Sequence, residues 1–295
     1  MFQRQTQGSV LCPSCGNLVG VKDPQCFHCG RRNPGMFGFA AGIRALGRDF
    51  GFVKLVIGGS VALYVATLLI DPEGIQKGGL FSFMSPSTKA LFLFGASGQI
   101  PVFELGRWWT LLSAGWLHGG ILHILFNMSV VRSFAPATAE LYGAGRMVII
   151  YTVSSITGFL FSSVVYEFLP WIPLGRLLGF LGLGGAHLTL GASAPIFGLL
   201  GALLYYSKRT GSRVIREQMI GYAIGFALFG LVMPGIDNQA HLGGFVGGYL
   251  TARFLDPLAP ERGDHLLIAV ICLAATALSI VASVVAGLPV LPYLF

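Results

Sequence analysis

The chain has 295 residues, 54% of them hydrophobic and only 11% charged, with a mean hydropathy of +0.73. Soluble domains carry about 25% charged residues, so this composition excludes a protein that covers itself with a water-facing surface and implies a polytopic α-helical membrane protein. The net charge of +7 would point to nucleic acid in a soluble chain, but here topology accounts for it and no nucleic-acid partner is expected.

Residues 1–35 contain four cysteines, several charges and no apolar run, whereas a signal peptide needs a basic start followed by an apolar stretch. A small folded domain on the cytosolic side is expected. Cys12-Pro-Ser-Cys15-Gly and Cys26-Phe-His-Cys29-Gly form two knuckles separated by ten residues. Zinc takes four soft ligands in a tetrahedron, and each Cys-x-x-Cys turn supplies two thiolates. The glycine after each pair suits the tight backbone of such a turn. The reading is a zinc ribbon with Cys12, Cys15, Cys26 and Cys29 as ligands, the competing readings being redox pairs or disulfides. A closed four-sulfur site has no open position, so the zinc is structural. His28 reads as a spectator and Cys272 as apolar filler. Residues 36–51 form a juxtamembrane linker, in which Phe39, Ile43, Leu46 and Phe50 at helical spacing suggest an amphipathic helix at the interface; a plain linker is the alternative.

Apolar runs able to span a bilayer need roughly 17–25 residues, and seven are found: Phe52–Ile70, Leu117–Ala135, Met147–Leu169, Leu190–Ser207, Ile215–Met233, Gln239–Leu255 and Leu266–Gly287. A shorter run at 90–98 belongs to a long loop at 72–116. The first six form a core at 52–256, and 257–295 adds a C-terminal seventh helix. With the N-terminus in the cytosol, 15 of the 19 Lys and Arg residues fall inside; only Lys77, Lys89, Arg107 and Arg176 fall outside. That is the asymmetry of the positive-inside rule, and it places the C-terminus outside.

Ionisable residues within spans are costly and mark function by default. Three groups come to one side of the membrane: Gly191-Ala192-Ser193-Ala194 opening the fourth span, Ala240-His241-Leu242-Gly243-Gly244 near the start of the sixth, and His118, His123 and Asn127 at the outer part of the second. Together they suit acyl transfer. A serine hydroxyl is a weak nucleophile until a base takes its proton, which neutral His does near pH 7. His123 and Asn127, one helical turn apart, join the Ser193 N–H as donors to an oxyanion. Gly191 leaves room beside Ser193, and Gly244 and Gly248 let the sixth span press on the fourth. Alone, each has a bland reading: Ser as packing, His as a proton relay or an interhelical bond.

The stretches RWWTLLSAGWLHGGILHILFN (107–127), GASAPIFGLLGA (191–202) and AHLGGFVGG (240–248) resemble, in order and in span, the rhomboid family of intramembrane proteases. The resemblance implies an all-α membrane bundle of six core transmembrane helices, here with a seventh and a small N-terminal zinc ribbon. It implies Ser193 as nucleophile, His241 as base, His123 and Asn127 at the oxyanion site, and Phe197 stacked on His241. His118, Arg107, Trp108 and Glu140 match structural positions of the family. Where the family commonly has Gly after the serine, this chain has Ala194-Pro195, which keeps the Ala N–H and puts Pro in a helix's first turn. Asp237, one turn before His241, reads as a loop residue, since the family works with a dyad.

The expected function is therefore a serine endopeptidase of the bacterial inner membrane that cuts transmembrane segments of other proteins. It works from within the lipid bilayer, needs no cofactor for the chemistry, and has a possible cytosolic partner for the ribbon. The rivals are a catalytically silent rhomboid-like protein that binds membrane clients, and a transporter using His241 and Asp237 as a proton relay.

Overall fold

The computed structural model describes residues 4–45, 47, 49–76, 83–171, 184–233 and 235–289. Near the N-terminus, β1 (Ser9–Leu11) and β2 (Leu18–Gly20) pair antiparallel with Val10 opposite Val19. The helices follow: α1 (Ala40–Ala45), α2 (Phe52–Ile70), α3 (Thr88–Leu93), α4 (Thr110–Ser113), α5 (Ile121–Tyr142), α6 (Ala144–Phe168), α7 (Ser193–Thr210), α8 (Arg213–Val232), α9 (Asn238–Phe254) and α10 (Gly263–Gly287). Local sequence sets several ends. Ser87, Ser212 and Asp237 accept from the backbone N–H of Ala90, Ile215 and Ala240 at 3.2, 3.4 and 3.0 Å, satisfying donors that open α3, α8 and α9. Gly211, at a φ of 71°, closes α7 in the left-handed region.

Among the described residues, four helices are long and apolar enough to cross a membrane: Phe52–Ile70, Ala144–Trp171, Arg213–Val232 and Gly263–Gly287. The pair Thr110–Trp116 and Ile121–Tyr142, bent by 95°, passes the same test of length and apolarity only when taken together. The remaining two of the seven expected spans, α7 and α9, have 18 and 17 residues. α7 is buried along most of its length, and α9 buries its His241 and glycine face while Leu242, Val246 and Leu250 stay exposed on the other, so the polar and glycine-rich stretches face the interior of the bundle rather than lipid.

The centre is the packing of α9 on α7 and of both on α6. Glycines make it possible. A Cβ at Gly248 would stand 2.1 Å from the Gly198 carbonyl oxygen, one at Gly201 2.2 Å from that of Phe245, and one at Gly158 2.6 Å from that of Ala240. Small residues let backbones approach where lipid offers no hydrophobic drive. By contrast, Met219 and Gly230 are the buried residues of α8, which lies on the periphery. The seventh long helix, α10, packs on α6 and α4. The buried Arg107 donates from Nη2 to the Ser283 carbonyl of α10 at 2.7 Å and sits 4.3 Å over the Phe92 ring. Trp109 Nε1 reaches the Ser283 hydroxyl at 3.1 Å. Arg107 thus ties the loop between α3 and α4 to α10.

The cysteine-bearing unit docks on the end of the bundle away from Ser193. Val10, Val19, Val21, Cys12 and Cys26 form its core, which extends to Met36 and Ala40. Arg31, buried, donates to Ser14 Oγ at 2.6 Å and lies 3.8 Å from the Glu261 carboxylate, also buried. Glu261 in turn accepts from the Arg146 backbone N–H at 3.1 Å, at the start of α6. Side chains at Gly143 and Gly145 would collide with that carboxylate. Burial pushes the Glu261 carboxyl up, against the pull of the Arg146 N–H and of the Arg31 and Arg146 charges.

Three local expectations change. The second span begins at Ile121, not Leu117, and continues to Tyr142, because Gly119 and Gly120 hold the chain in a turn before the helix; His118 therefore precedes the helix. Of the helix expected across 36–50, the described residues show Ala40–Ala45, with Phe37 and Phe50 at φ of 55° and 52° outside it. The apolar run at 90–98 overlaps the short helix α3, which begins two residues earlier at Thr88 and ends at Leu93. The expectations for Leu46, Arg48, Lys77, Arg176 and Pro234, and for the side chains of Ile43 and Arg44, lie outside the described residues.

Candidate active site and metal centre

Ser193 is the first residue of α7. Its position is fixed from upstream: Ser97 and Thr189 exchange backbone hydrogen bonds at 2.9 and 2.7 Å, and the Gly191 N–H donates to the Ala114 carbonyl at 2.9 Å. Gly191 has a φ of 122°, open to glycine and rarely to other residues. A Cβ there would also meet His123 Nε2 at 2.7 Å and would lie 3.7 Å from Ser193 Oγ. The imidazole and the hydroxyl thus flank one bare backbone position. Ser193 is partly exposed between Ala192 and Ala194, which are fully buried. Its N–H is one of the donors that a helix start leaves unpaired within the helix.

His123 Nδ1 accepts from the Gly119 N–H at 3.2 Å. That acceptor role puts the ring proton on Nε2, the nitrogen turned to Gly191. The His118 ring lies edge-to-face on His123, centroids 5.2 Å apart. Asn127, one turn further along the same face of α5, is 2% exposed, and its Nδ2 has no partner among the described residues. An unpaired buried amide donor is costly, and this one is free to donate to a group entering the site.

His241 lies in the first turns of α9 and is buried. Its ring stacks on Phe197 of α7, centroids 4.3 Å apart and planes 12° from parallel. Ser193 precedes Phe197 by one turn on the same face of α7. Gly244, one turn after His241, backs onto the Ala194 carbonyl, which a Cβ would meet at 2.2 Å. No hydrogen bond joins Ser193 to His241 among the described residues; such bonds are commonly long before substrate binds. Asp237 does not orient His241. One of its oxygens caps Ala240 and the other accepts from Ser162 Oγ at 2.6 Å, while His241 Nδ1 has no partner among the described residues. Elsewhere, Trp108 stands edge-to-face with Phe103 at 5.4 Å and Glu140 is exposed near the end of α5.

Sequence reasoning missed the strand-like bridge between Ser97 and Thr189. Two residues in irregular segments carry no periodic signal, and only the fold pairs them.

The four sulfurs of Cys12, Cys15, Cys26 and Cys29 lie within 4.8 Å of one another, with Cys12–Cys29 and Cys15–Cys26 both at 3.7 Å. A tetrahedron of Zn–S bonds of about 2.3 Å has edges of about 3.8 Å, so the set fits that ion. The two knuckles repeat one backbone pattern. Gly16 and Gly30 donate to the Cys12 and Cys26 carbonyls, each at 2.9 Å, with φ of 77° and 72°. These four cysteines can hold a metal.

The model of the Rhomboid domain matches residues 105–257, just over half of the chain. Among curated relatives, "Rhomboid protease GluP" of Bacillus subtilis (strain 168) is 36% identical over 194 residues, covering 64% of this chain and 34% of that protein. "RHOMBOID-like protein 4" of Arabidopsis thaliana is 27% identical, covering 69% of this chain and 52% of that protein. "Inactive RHOMBOID-like protein 8" of the same plant is 29% identical, covering 69% and 58%. The chain spans between 34% and 58% of the length of these three relatives. With its apolar helices, its closely packed α7 and α9 and the matched domain, this integral membrane protein belongs to the rhomboid family.

Proposed function

We propose that this protein is an intramembrane serine endopeptidase that cleaves transmembrane segments of other membrane proteins through a Ser193–His241 dyad. The observation that carries the reading is the His241 ring stacked on Phe197, one turn from Ser193, with the unpartnered Asn127 amide held on the neighbouring helix. In the reaction His241 takes the Ser193 proton as Oγ attacks the scissile carbonyl. The resulting oxyanion accepts from Asn127 Nδ2–H, His123 Nε2–H and the Ser193 N–H. Collapse breaks the C–N bond, His241 returns the proton to the leaving amine, and water attacks the acyl-enzyme by the same route. No metal takes part in these steps.

The domain reading accompanies this: a zinc ribbon at 1–35, a linker at 36–51, a protease core at 52–256 and an added helix at 257–295. The distribution of Lys and Arg supports a cytosolic ribbon and an active site near the outer face of a bacterial inner membrane. The sulfur geometry supports zinc with a structural role, because four thiolates leave it no open position. The rival is a silent rhomboid-like protein that binds membrane clients, favoured by the missing Ser193–His241 hydrogen bond and by one relative's being named inactive.

Labelling with a fluorophosphonate decides between them. Wild type takes the label and Ser193→Ala does not, and wild type cuts a member of a panel of single-span substrates. Equal labelling of both proteins, with no cleavage by wild type, would leave the silent reading.

A further inference from the structure

The end of the bundle opposite Ser193 holds two cavities that the proteolytic reading does not use. One, of about 390 Å³, is lined by Tyr205, Lys208, Arg209, Tyr249 and Arg253. The other, also about 390 Å³, shares Lys208 and Tyr249 and adds Ser212 and Arg216. They lie where the last turns of α7 and α9 meet the first turn of α8. We propose that this double cavity binds a phosphate-bearing anion, the phosphate group of a lipid or a soluble phosphate.

Charge is the first argument. Four cations from three helices line the cavities. Arg209 meets Asp256 at 3.5 Å, with both side chains about half exposed. Lys208, Arg216 and Arg253 have no carboxylate partner among the described residues, whereas nearby Arg213 is paired with Glu217 at 2.6 Å. Three unpaired cations around a concave space attract an anion more strongly than the same charges on an open face.

Geometry is the second. The start of α8 contributes Ser212, which caps the Ile215 N–H, and Arg216 to the lining, so the N-terminal end of a 20-residue helix stands at the cavity, and the positive end of its dipole suits an anion. Tyr205 and Tyr249 stand edge-to-face at 5.4 Å between the cations and the bundle, and Phe254, 84% exposed, follows Arg253. Tyrosine and exposed aromatics mark headgroup depth at the ends of spans, and basic pockets between helices at that depth take lipid headgroups. A multiply charged phosphate there would bridge Lys208 of α7, Arg253 of α9 and Arg216 of α8. It would fasten α8, the least buried of these helices, at one end.

The test uses full-length protein in non-ionic detergent, with bound adducts counted by native mass spectrometry. The probes are phosphatidic acid, phosphatidylcholine as a zwitterionic control, and inorganic phosphate. Phosphatidic acid is expected to bind in preference to phosphatidylcholine. Each of Lys208→Ala, Arg216→Ala and Arg253→Ala weakens it about five-fold, and the triple variant about 100-fold. Arg213→Ala, a paired cation nearby, stays within about two-fold of wild type. Asp256→Asn, which frees Arg209, tightens binding, a gain that misfolding cannot mimic. If inorganic phosphate competes at the concentration at which it binds alone, the source is soluble; if only phosphatidic acid binds, it is a lipid. Undiminished binding by the triple variant, or an equal loss in Arg213→Ala, overturns the proposal.

Discussion

Replacing Gly248 by alanine tests the claim that the α7–α9 contact sets the catalytic geometry. Gly248 lies seven residues after His241, and its backbone faces Gly198, five residues after Ser193. The added Cβ would stand 2.1 Å from the Gly198 oxygen, 2.4 Å from its Cα and 2.5 Å from its carbonyl carbon. All three are backbone atoms, so no rotamer change relieves the contact. The helices must part by about 1 Å to reach the 3.0 Å below which real Cβ contacts do not fall. Overpacking of this kind costs about 1–3 kcal/mol. A displacement of 1 Å between reacting groups costs about 100-fold in rate. Thermal unfolding in detergent and the rate of fluorophosphonate labelling measure the two effects separately, with Gly225→Ala on α8, where nothing lies within 4 Å, as the control. Gly248→Ala is expected to melt lower and to label about 100-fold more slowly, while the control does neither. A Gly248→Ala protein with wild-type melting and labelling would refute the reasoning, because α7 and α9 could not then be in backbone contact.

Asn127→Ala is expected to lower kcat by about 100- to 1,000-fold with little change in KM, as for a lost oxyanion donor; steady-state cleavage kinetics check it, and unchanged turnover removes Asn127 from the site. Arg31→Met strands the Glu261 carboxylate and is expected to cost about 3–5 kcal/mol, most of it recovered when Glu261→Gln is added; a double-mutant cycle by denaturant melts reads the coupling. Cys12→Ser is expected to lose bound zinc, measured by elemental analysis, while membrane-inserted protein keeps its Ser193 labelling.

Much of the candidate site was legible because it rests on residues that an apolar chain does not carry without cause. Ser193, His241, His123 and Asn127 stand out against spans of Leu, Ile, Phe and Gly, and the i, i+4 spacing of His123 and Asn127 needs only a helix to align them. Hydropathy located the long outer helices well. It fared less well where glycine competes: Gly119-Gly120 delays α5, so His118 sits in a turn that a hydropathy window reads as span. The Arg31–Glu261 contact, 230 residues apart in sequence, has no local signature; each reads alone as a surface charge. The cationic cavity was half visible, its charges already counted as inward-side residues, but the concavity arises only from three helices ending together.

The placement of α6 explains why ribbon loss and catalysis are expected to separate. One end of this helix receives the ribbon: Glu261 caps the Arg146 N–H and meets Arg31. Twelve residues on, about 18 Å along the axis, Gly158 lies against Ala194 and the Ala240 carbonyl, at the backs of the Ser193 and His241 positions. Ribbon docking and the proposed catalysis therefore both rest on α6, but at different depths and through different neighbours. Undocking the ribbon takes Arg31 away from the Glu261 carboxylate and so breaks a buried ion pair beside the first turn, which lowers stability, while Glu261 still caps the Arg146 N–H. The Gly158 contact is held by α7 and α9 on either side and does not depend on the first turn. If Arg31→Met nevertheless slowed Ser193 labelling in protein that remains folded and inserted, α6 would have to move as one rigid rod, and the metal state of the ribbon would become an input to catalysis.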